Sequence, residues 1–173
     1  DLSGTWVRLE GAYGALALDP EQYEYAYLVA GGIGVTPMIS LLAELTQKMQ
    51  QKKHGLKLNH VHFVWTLREM SMLQWFEQKL NEIATASGDQ VTIEIYLTGK
   101  GDSQPPASLA SFVKKGRPNL EQVLSQCKEK VNHHFAAVFA CGPQILLHSL
   151  QHVCWTSSDS KVKFQYHKET FLL

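Results

Sequence analysis

Tyr25-Ala26-Tyr27-Leu28-Val29-Ala30-Gly31-Gly32-Ile33-Gly34-Val35-Thr36-Pro37 is an apolar run that breaks into glycines and resumes beyond Pro37 at helical spacing, with Met38, Ile39, Leu41, Leu42 and Leu45. Residues 25–30 read as a buried strand and the later run as an amphipathic helix. Thr36 is expected to cap that helix and Pro37 to take its first position. A strand, a tight glycine turn and a helix bring the backbone to the carboxyl edge of a sheet, where glycines permit positive φ and the close approach of a ligand. The helix aims its free N–H groups and positive dipole end at the same spot. A pyrophosphate is the natural occupant, and in open α/β sheets this crevice is where ligands bind. The competing reading is a turn needed only for tight packing. Pro37 stands where the last glycine of Gly-x-Gly-x-x-Gly would fall, and no Lys follows at the P-loop position.

Outward from this turn, strands alternate with helices. Residues 60–66 read as a strand, with Val61, Phe63 and Trp65 alternating against His62, Val64 and Thr66. A helix over 71–86 places Leu73, Phe76, Leu80, Ile83 and Ala84 on one face, and Gly88-Asp89 stops it. Residues 92–97 form a third strand with Ile93, Ile95 and Leu97 on one side. A polar loop follows over 99–106, then an amphipathic helix over 119–131. An apolar strand covers 135–141, a helix 143–155, and a closing strand 162–167, where Val162, Phe164 and Tyr166 alternate. The pattern predicts an α/β, Rossmann-like open parallel sheet of five to six strands with helices on both faces.

The bulk numbers narrow the function. The 173 residues suffice for one domain with a real core. The 16 basic and 16 acidic residues balance, without a dense basic run, so no nucleic-acid partner is expected. No apolar run approaches the roughly 20 residues of a membrane-spanning helix, and the first residues do not read as a signal peptide. A chain that opens mid-pattern with Trp6-Val7-Arg8-Leu9-Glu10 reads as an excised piece of a longer polypeptide. Cys127, Cys141 and Cys154 have no metal spacing and fit a reducing compartment. His148 and His152 stand four apart on a helix, and His133-His134 are adjacent, but no acid or Cys completes a set, so no metal is expected. Trp75 and Phe76 read as core or domain contact. Lys114 and Lys115 read as solvated, or as drawing in a polyanionic cofactor. At the end of the second strand, where a Rossmann-like fold reads the adenosine ribose, Arg68 suits a 2′-phosphate and Glu69 a 2′-hydroxyl.

Gly31-Gly32-Ile33-Gly34-Val35-Thr36-Pro37 resembles the nicotinamide-nucleotide motif of the ferredoxin–NADP reductase superfamily, to which the NADPH oxidases and ferric reductases belong. In that family the residues matching Thr36 and Pro37 lie against the nicotinamide and pyrophosphate side of the cofactor. Cys141-Gly142-Pro143 resembles the Cys-Gly-Pro motif beside the nicotinamide ring, where the thiol is a small polarizable wall and not a nucleophile. Gly116-Arg117-Pro118-Asn119 is similar to a stretch of NADPH oxidases whose Arg lies near the 2′-phosphate, which adds to Arg68 and implies NADPH over NADH. His167-Lys168-Glu169-Thr170-Phe171 resembles the oxidase tail, whose terminal aromatic stacks on the flavin; Phe171 is the match, although Leu172 and Leu173 follow it. Glu10-Gly11-Ala12-Tyr13-Gly14 is similar to the segment that closes the family's flavin domain, with Ala12 in place of a proline.

The resemblance implies residues 1–22 as the end of a flavin-binding domain and linker, and 23–173 as an NADPH-binding domain. Its nucleotide site would comprise Gly31, Gly32, Ile33, Gly34, Val35, Thr36, Pro37, Arg68, Arg117, Cys141, Gly142, Pro143 and Phe171, with Cys141 and Phe171 nearest the hydride transfer. FAD would be bound mainly by the domain missing here, and haem would sit in the membrane part of the full-length protein. The domain would face the cytosol, its partners being the flavin and haem domains of its own chain, with room for regulatory proteins. The implied reaction passes hydride from NADPH to FAD and electrons through haem to oxygen, giving superoxide. Ferric reduction, a soluble NAD(P)H flavoreductase, and a binding module that senses a nucleotide without turnover are the rivals.

Overall fold

The structure is a computed structural model and describes residues 19–52, 54–99, 104–126 and 135–169. In chain order the elements are β1 (Tyr25–Gly31), α1 (Val35–Gln50), β2 (His60–Leu67), α2 (Ser71–Ser87), β3 (Val91–Leu97), β4 (Val113–Lys115), α3 (Leu120–Ser125), β5 (Phe135–Cys141), α4 (Gln144–Ser157) and β6 (Lys163–Glu169). They build one six-stranded sheet in the order β4-β3-β2-β1-β5-β6, and every pairing is parallel. The sheet is the α/β architecture the sequence pattern predicts.

Sequence alternation sorts side chains between two cores. Val61, Phe63, Trp65 and Leu67 of β2 and Ile93, Ile95 and Leu97 of β3 pack with Met38, Leu42 and Leu45 of α1 and Leu73, Leu80 and Ile83 of α2. On the opposite face, Tyr25, Tyr27 and Val29 of β1 join Val64, Ala136, Val138 and Ala140 with Val123 and Leu124 of α3 and Leu147, Leu150 and Cys154 of α4. All seven residues of β1 are buried, as a strand covered on both faces requires. Each fully buried Leu or Phe side chain contributes about 1.5–3 kcal/mol to holding these layers together.

Four local expectations change. The helix after the glycine turn begins at Val35, not after Thr36: a 3-10 turn over Gly32–Gly34 starts the helical path early, and Gly34 is the N-cap. Thr36 and Pro37 therefore lie within the first turn, where the missing proline N–H has no intrahelical partner to lose. The three-residue edge strand β4 carries no sequence signal. The core reading of Trp75 fails, because it is 71% exposed on α2, and the domain-contact reading is left, while Phe76 packs edge-on against Trp65 with ring centroids 5.7 Å apart. Lys114 is not simply solvated, because it pairs with Glu94.

Other boundaries stand. Gly88 ends α2 with a φ of +52, and Asn119 caps α3 by accepting the Gln122 N–H at 3.1 Å. The remainder of the helix expected over 119–131 lies outside the described residues, as do residues 10–14, Cys127, His133, His134 and Phe171.

Candidate nucleotide site

The strand order reverses between β2-β1 and β1-β5, and the carboxyl ends of β1 and β5 flank that switch point. Such a point is where an open α/β sheet has a crevice. β1 delivers Gly31 to it and β5 delivers Cys141, so the structure brings the glycine turn and the Cys141-Gly142-Pro143 turn together.

The two turns touch backbone to backbone. A Cβ on Gly34 would lie 2.3 Å from the Cys141 carbonyl oxygen and 2.9 Å from the Gly142 nitrogen. One on Gly31 would lie 2.6 Å from Cδ of Pro143, and one on Gly142 would lie 2.8 Å from the Gly31 Cα. These three glycines serve packing, which is the competing reading of the motif. Gly32 is different. Its φ is +54, and a Cβ there would meet nothing within 4 Å. The turn thus has a packed side formed by Gly31 and Gly34 and an open side at Gly32. The open side lies at the N-terminus of the 16-residue α1, whose dipole and first N–H groups favour an anion. Ile33 is 61% exposed beside it, and Thr36 is exposed with its hydroxyl donating to the Ile33 carbonyl at 3.1 Å. Val35 is fully buried and joins the core beneath the turn.

Trp65, which sequence alternation marks only as a strand residue, reaches under the turn. Its indole N–H donates to the Gly32 carbonyl at 3.0 Å. The neighbouring Thr66 hydroxyl donates to the Ala30 carbonyl at 3.3 Å.

Cys141 is 3% exposed. Burial, and secondarily the Glu169 carboxylate, push its thiol up from its ordinary value, which keeps it a neutral packing group. Glu169 pairs with Cys141 in the sheet register and lies 3.0 Å from His167 Nε2. It belongs to the tail motif, in which the family resemblance gives a role to Phe171 alone.

Arg68 and Arg117 emerge from the same sheet edge, following β2 and β4, and both are exposed. β3 lies between them, so their backbones are separated by about two strand spacings of roughly 4.8 Å each. The rim they leave from is tightly laced. Thr98 donates to the Leu67 carbonyl through its N–H at 2.8 Å and its hydroxyl at 3.0 Å, and the Gly116 N–H donates to the Leu97 carbonyl at 2.9 Å. A Cβ on Gly99 would fall 2.0 Å from the Arg68 carbonyl oxygen, so the turns after β2 and β3 are pressed together. Glu69 is also exposed there.

Behind the rim lies an ionic group that sequence reasoning misses. Glu94 is 6% exposed and accepts the Tyr96 hydroxyl at 2.6 Å and the Lys114 ammonium at 3.0 Å. The buried His62 ring lies 3.7 Å away, an electrostatic contact longer than a hydrogen bond, and stacks on Tyr27. His62 above all, with Tyr96 and Lys114, holds the Glu94 carboxyl well below its usual range despite burial. Elsewhere, Glu21, Glu44 and Lys48 line a cavity of about 210 Å³ against the later turns of α1, and its acidic character does not suit a polyphosphate. Among the described residues no cluster of His, Cys, Asp or Glu is arranged to hold a metal ion.

A family model described as the ferric reductase NAD binding domain matches residues 23–155. NADPH oxidase 1 of Rattus norvegicus is 30% identical over 186 residues, covering 95% of this chain and 33% of that protein. Respiratory burst oxidase homolog protein D of Solanum tuberosum is 30% identical, with 95% and 23% covered. A superoxide-generating NADPH oxidase heavy chain of Dictyostelium discoideum is 26% identical, with 95% and 35% covered. The chain spans about a third or less of the length of these relatives. Among solved structures, the CS-b5R domains of human Ncb5or in the NAD+ form align with a TM-score of 0.59 at 17% identity, over 91% of this chain and 39% of that one. A flavohemoglobin from Malassezia yamatoensis aligns with a TM-score of 0.57 at 20% identity, over 88% and 33%. These two show a shared fold.

Proposed function

The chain belongs to the ferric reductase NAD binding domain family, and from that premise we propose that it is the NADPH-binding dehydrogenase domain of a transmembrane flavocytochrome. The observation that carries this is the turn at the β1–β5 switch point, packed on the Gly31 and Gly34 side and open at Gly32 at the N-terminus of α1.

In this reading the backbone of residues 31–36 holds the pyrophosphate. Arg68 and Arg117 grip the 2′-phosphate from the rim of β2 to β4, each as a charge-assisted fork. Thr36, Cys141, Gly142 and Pro143 border the nicotinamide, with the neutral Cys141 as a wall that shapes the pocket without reacting. The nucleotide supplies a hydride and the flavin accepts it; this chain orients the one toward the other. Residues 1–22 are assigned to the end of the flavin domain and 23–173 to the nucleotide domain. Phe171, outside the described residues, is assigned to the flavin face.

No helix among the described residues is long and apolar enough to cross a membrane. The haem-bearing membrane part is assigned to the rest of the polypeptide, with this domain on the cytosolic side. The names of the relatives favour oxygen as the final acceptor and superoxide as product. The family description favours ferric iron as the second reading.

The test uses the intact protein. KM for NADPH and NADH is measured for the parent, Arg68→Ala and Arg117→Ala. Each substitution is expected to erase roughly ten- to hundredfold of the NADPH preference, the worth of one charge-assisted phosphate contact. Equal KM values for the two nucleotides in the parent would sink the 2′-phosphate assignment and make Glu69 the reader of the ribose. Superoxide-dismutase-sensitive dye reduction, set against reduction of a ferric chelate, separates the two acceptors.

A further inference from the structure

Two donors meet at the Gly32 carbonyl oxygen. One is the Val35 N–H, a bond that the start of α1 makes for itself. The other is the indole N–H of Trp65, which comes from a different strand and is 3.0 Å away. Trp65 is fully buried and held edge-on by Phe76, so its N–H is a fixed point and not a mobile arm.

A trans peptide is planar, with its N–H antiparallel to its carbonyl. Tying the Gly32 carbonyl down to β2 therefore turns the Ile33 N–H away from Trp65. Gly32 is the freest residue of the turn, with a φ of +54 and open space where a side chain would be. Nothing in its own covalent structure prevents the Gly32–Ile33 peptide from rotating; the Val35 bond restrains it from within the turn, and the indole bond anchors it to a separate strand. We infer that Trp65 is a positioning residue for the pyrophosphate site: it fixes the peptide whose N–H faces the phosphate oxygens, and so sets dinucleotide affinity without touching the dinucleotide. The inference rests on the assignment of the pyrophosphate to this turn.

A Trp65 that merely filled the core would affect stability and leave nucleotide constants alone. The experiment replaces Trp65 in the intact protein with β-(3-benzothienyl)alanine, which keeps the ring shape and lacks the N–H, alongside Trp65→Phe. It reads KM and kcat with NADPH and NADH, and the inhibition constant of 2′-AMP, which carries the 2′-phosphate but no pyrophosphate. KM is expected to rise about fivefold for both nucleotides by the same factor, the effect of one neutral hydrogen bond. Saturated kcat and 2′-AMP inhibition should not change. Unchanged KM values in the isosteric variant overturn the inference, and so does an equal loss for 2′-AMP, which would mean the whole cleft had shifted. Inorganic pyrophosphate must also compete with NADPH in the unsubstituted protein. Its failure to compete would remove the pyrophosphate assignment itself, a result independent of either variant.

Discussion

Gly34→Ala isolates the close packing of the two turns. Gly34 has a φ of −59 and a ψ of −4, a conformation any L-residue adopts. Alanine there brings no backbone strain and, by narrowing the unfolded ensemble, would by itself stabilise the fold. The penalty is steric. The new methyl would stand 2.3 Å from the Cys141 carbonyl oxygen and 2.6 Å from its carbon, where ordinary contact begins near 3.4 Å. The shortfall is about 1 Å, and the opposing atoms are backbone at the end of a buried central strand, not the tip of a side chain that swings aside. Overpacking of this kind reaches about 3 kcal/mol. For a domain of this size that lowers the melting temperature by about 6–12 °C. Gly32→Ala is the internal control. It meets no atom within 4 Å but must adopt a φ of +54, at a cost of about 1–2 kcal/mol. Thermal unfolding of the two variants beside the parent, with NADPH affinity followed in parallel, should rank Gly34→Ala as the more damaging. Should Gly34→Ala lie within about 1 kcal/mol of the parent, below the usual range for overpacking, or harm stability less than Gly32→Ala, the reasoning from backbone apposition is wrong.

Two more outcomes follow from buried groups. Glu94 ordinarily titrates near 4.5 and is held well below that in the fold, so its stabilisation is complete above that value and lost as pH falls toward the lowered one. Glu94→Gln should cost about 2 kcal/mol in urea unfolding at pH 7, with the gap to the parent closing as the pH drops below about 4; a gap independent of pH would contradict the ionic role. Cys141 and Cys154 are buried thiols, both pushed up from their ordinary values by burial, Cys154 to about 12. Both should resist alkylation by iodoacetamide at pH 8 until the chain is unfolded, as mass spectrometry would show, and rapid labelling of either in the native state would contradict its placement.

The sheet is legible in the sequence because parallel strands covered on both faces are near-continuously apolar, as in residues 25–30 and 135–141, while residues 60–66 show the two faces by alternating Val61, Phe63 and Trp65 with His62, Val64 and Thr66. The turn proposed as the anion site is visible in the sequence as glycines between a strand and a helix, but its division into a packed side and an open side is not. What the sequence conceals depends on contacts between segments remote along the chain. Thr36-Pro37 marks a helix start two residues late, because local preference does not show that the glycines begin the helical path and that Gly34 takes the cap. Val113–Lys115 is too short and too lysine-rich for any periodic signal. Glu94 and His62 alternate properly in their strands, and a polar residue at an inward position is the only hint of their pairing. The hydrogen bond between Trp65 and Gly32 leaves no trace in spacing.

The placement of β1 at the centre of the sheet also fixes an order of assembly. β1 to β4 extend the sheet stepwise in one direction and pair neighbours in sequence, so they can form while the chain is still emerging from the ribosome. On the other side, Ala26 pairs with Ala137, and that closure must wait until β5 has been synthesised and must overcome the entropy of a long loop. The cleft proposed for the nucleotide lies on that seam. A nascent or truncated chain that has built its first four strands holds the glycine turn but lacks the wall opposite, and on the proposed assignment it would become competent for its nucleotide only when the last strands dock.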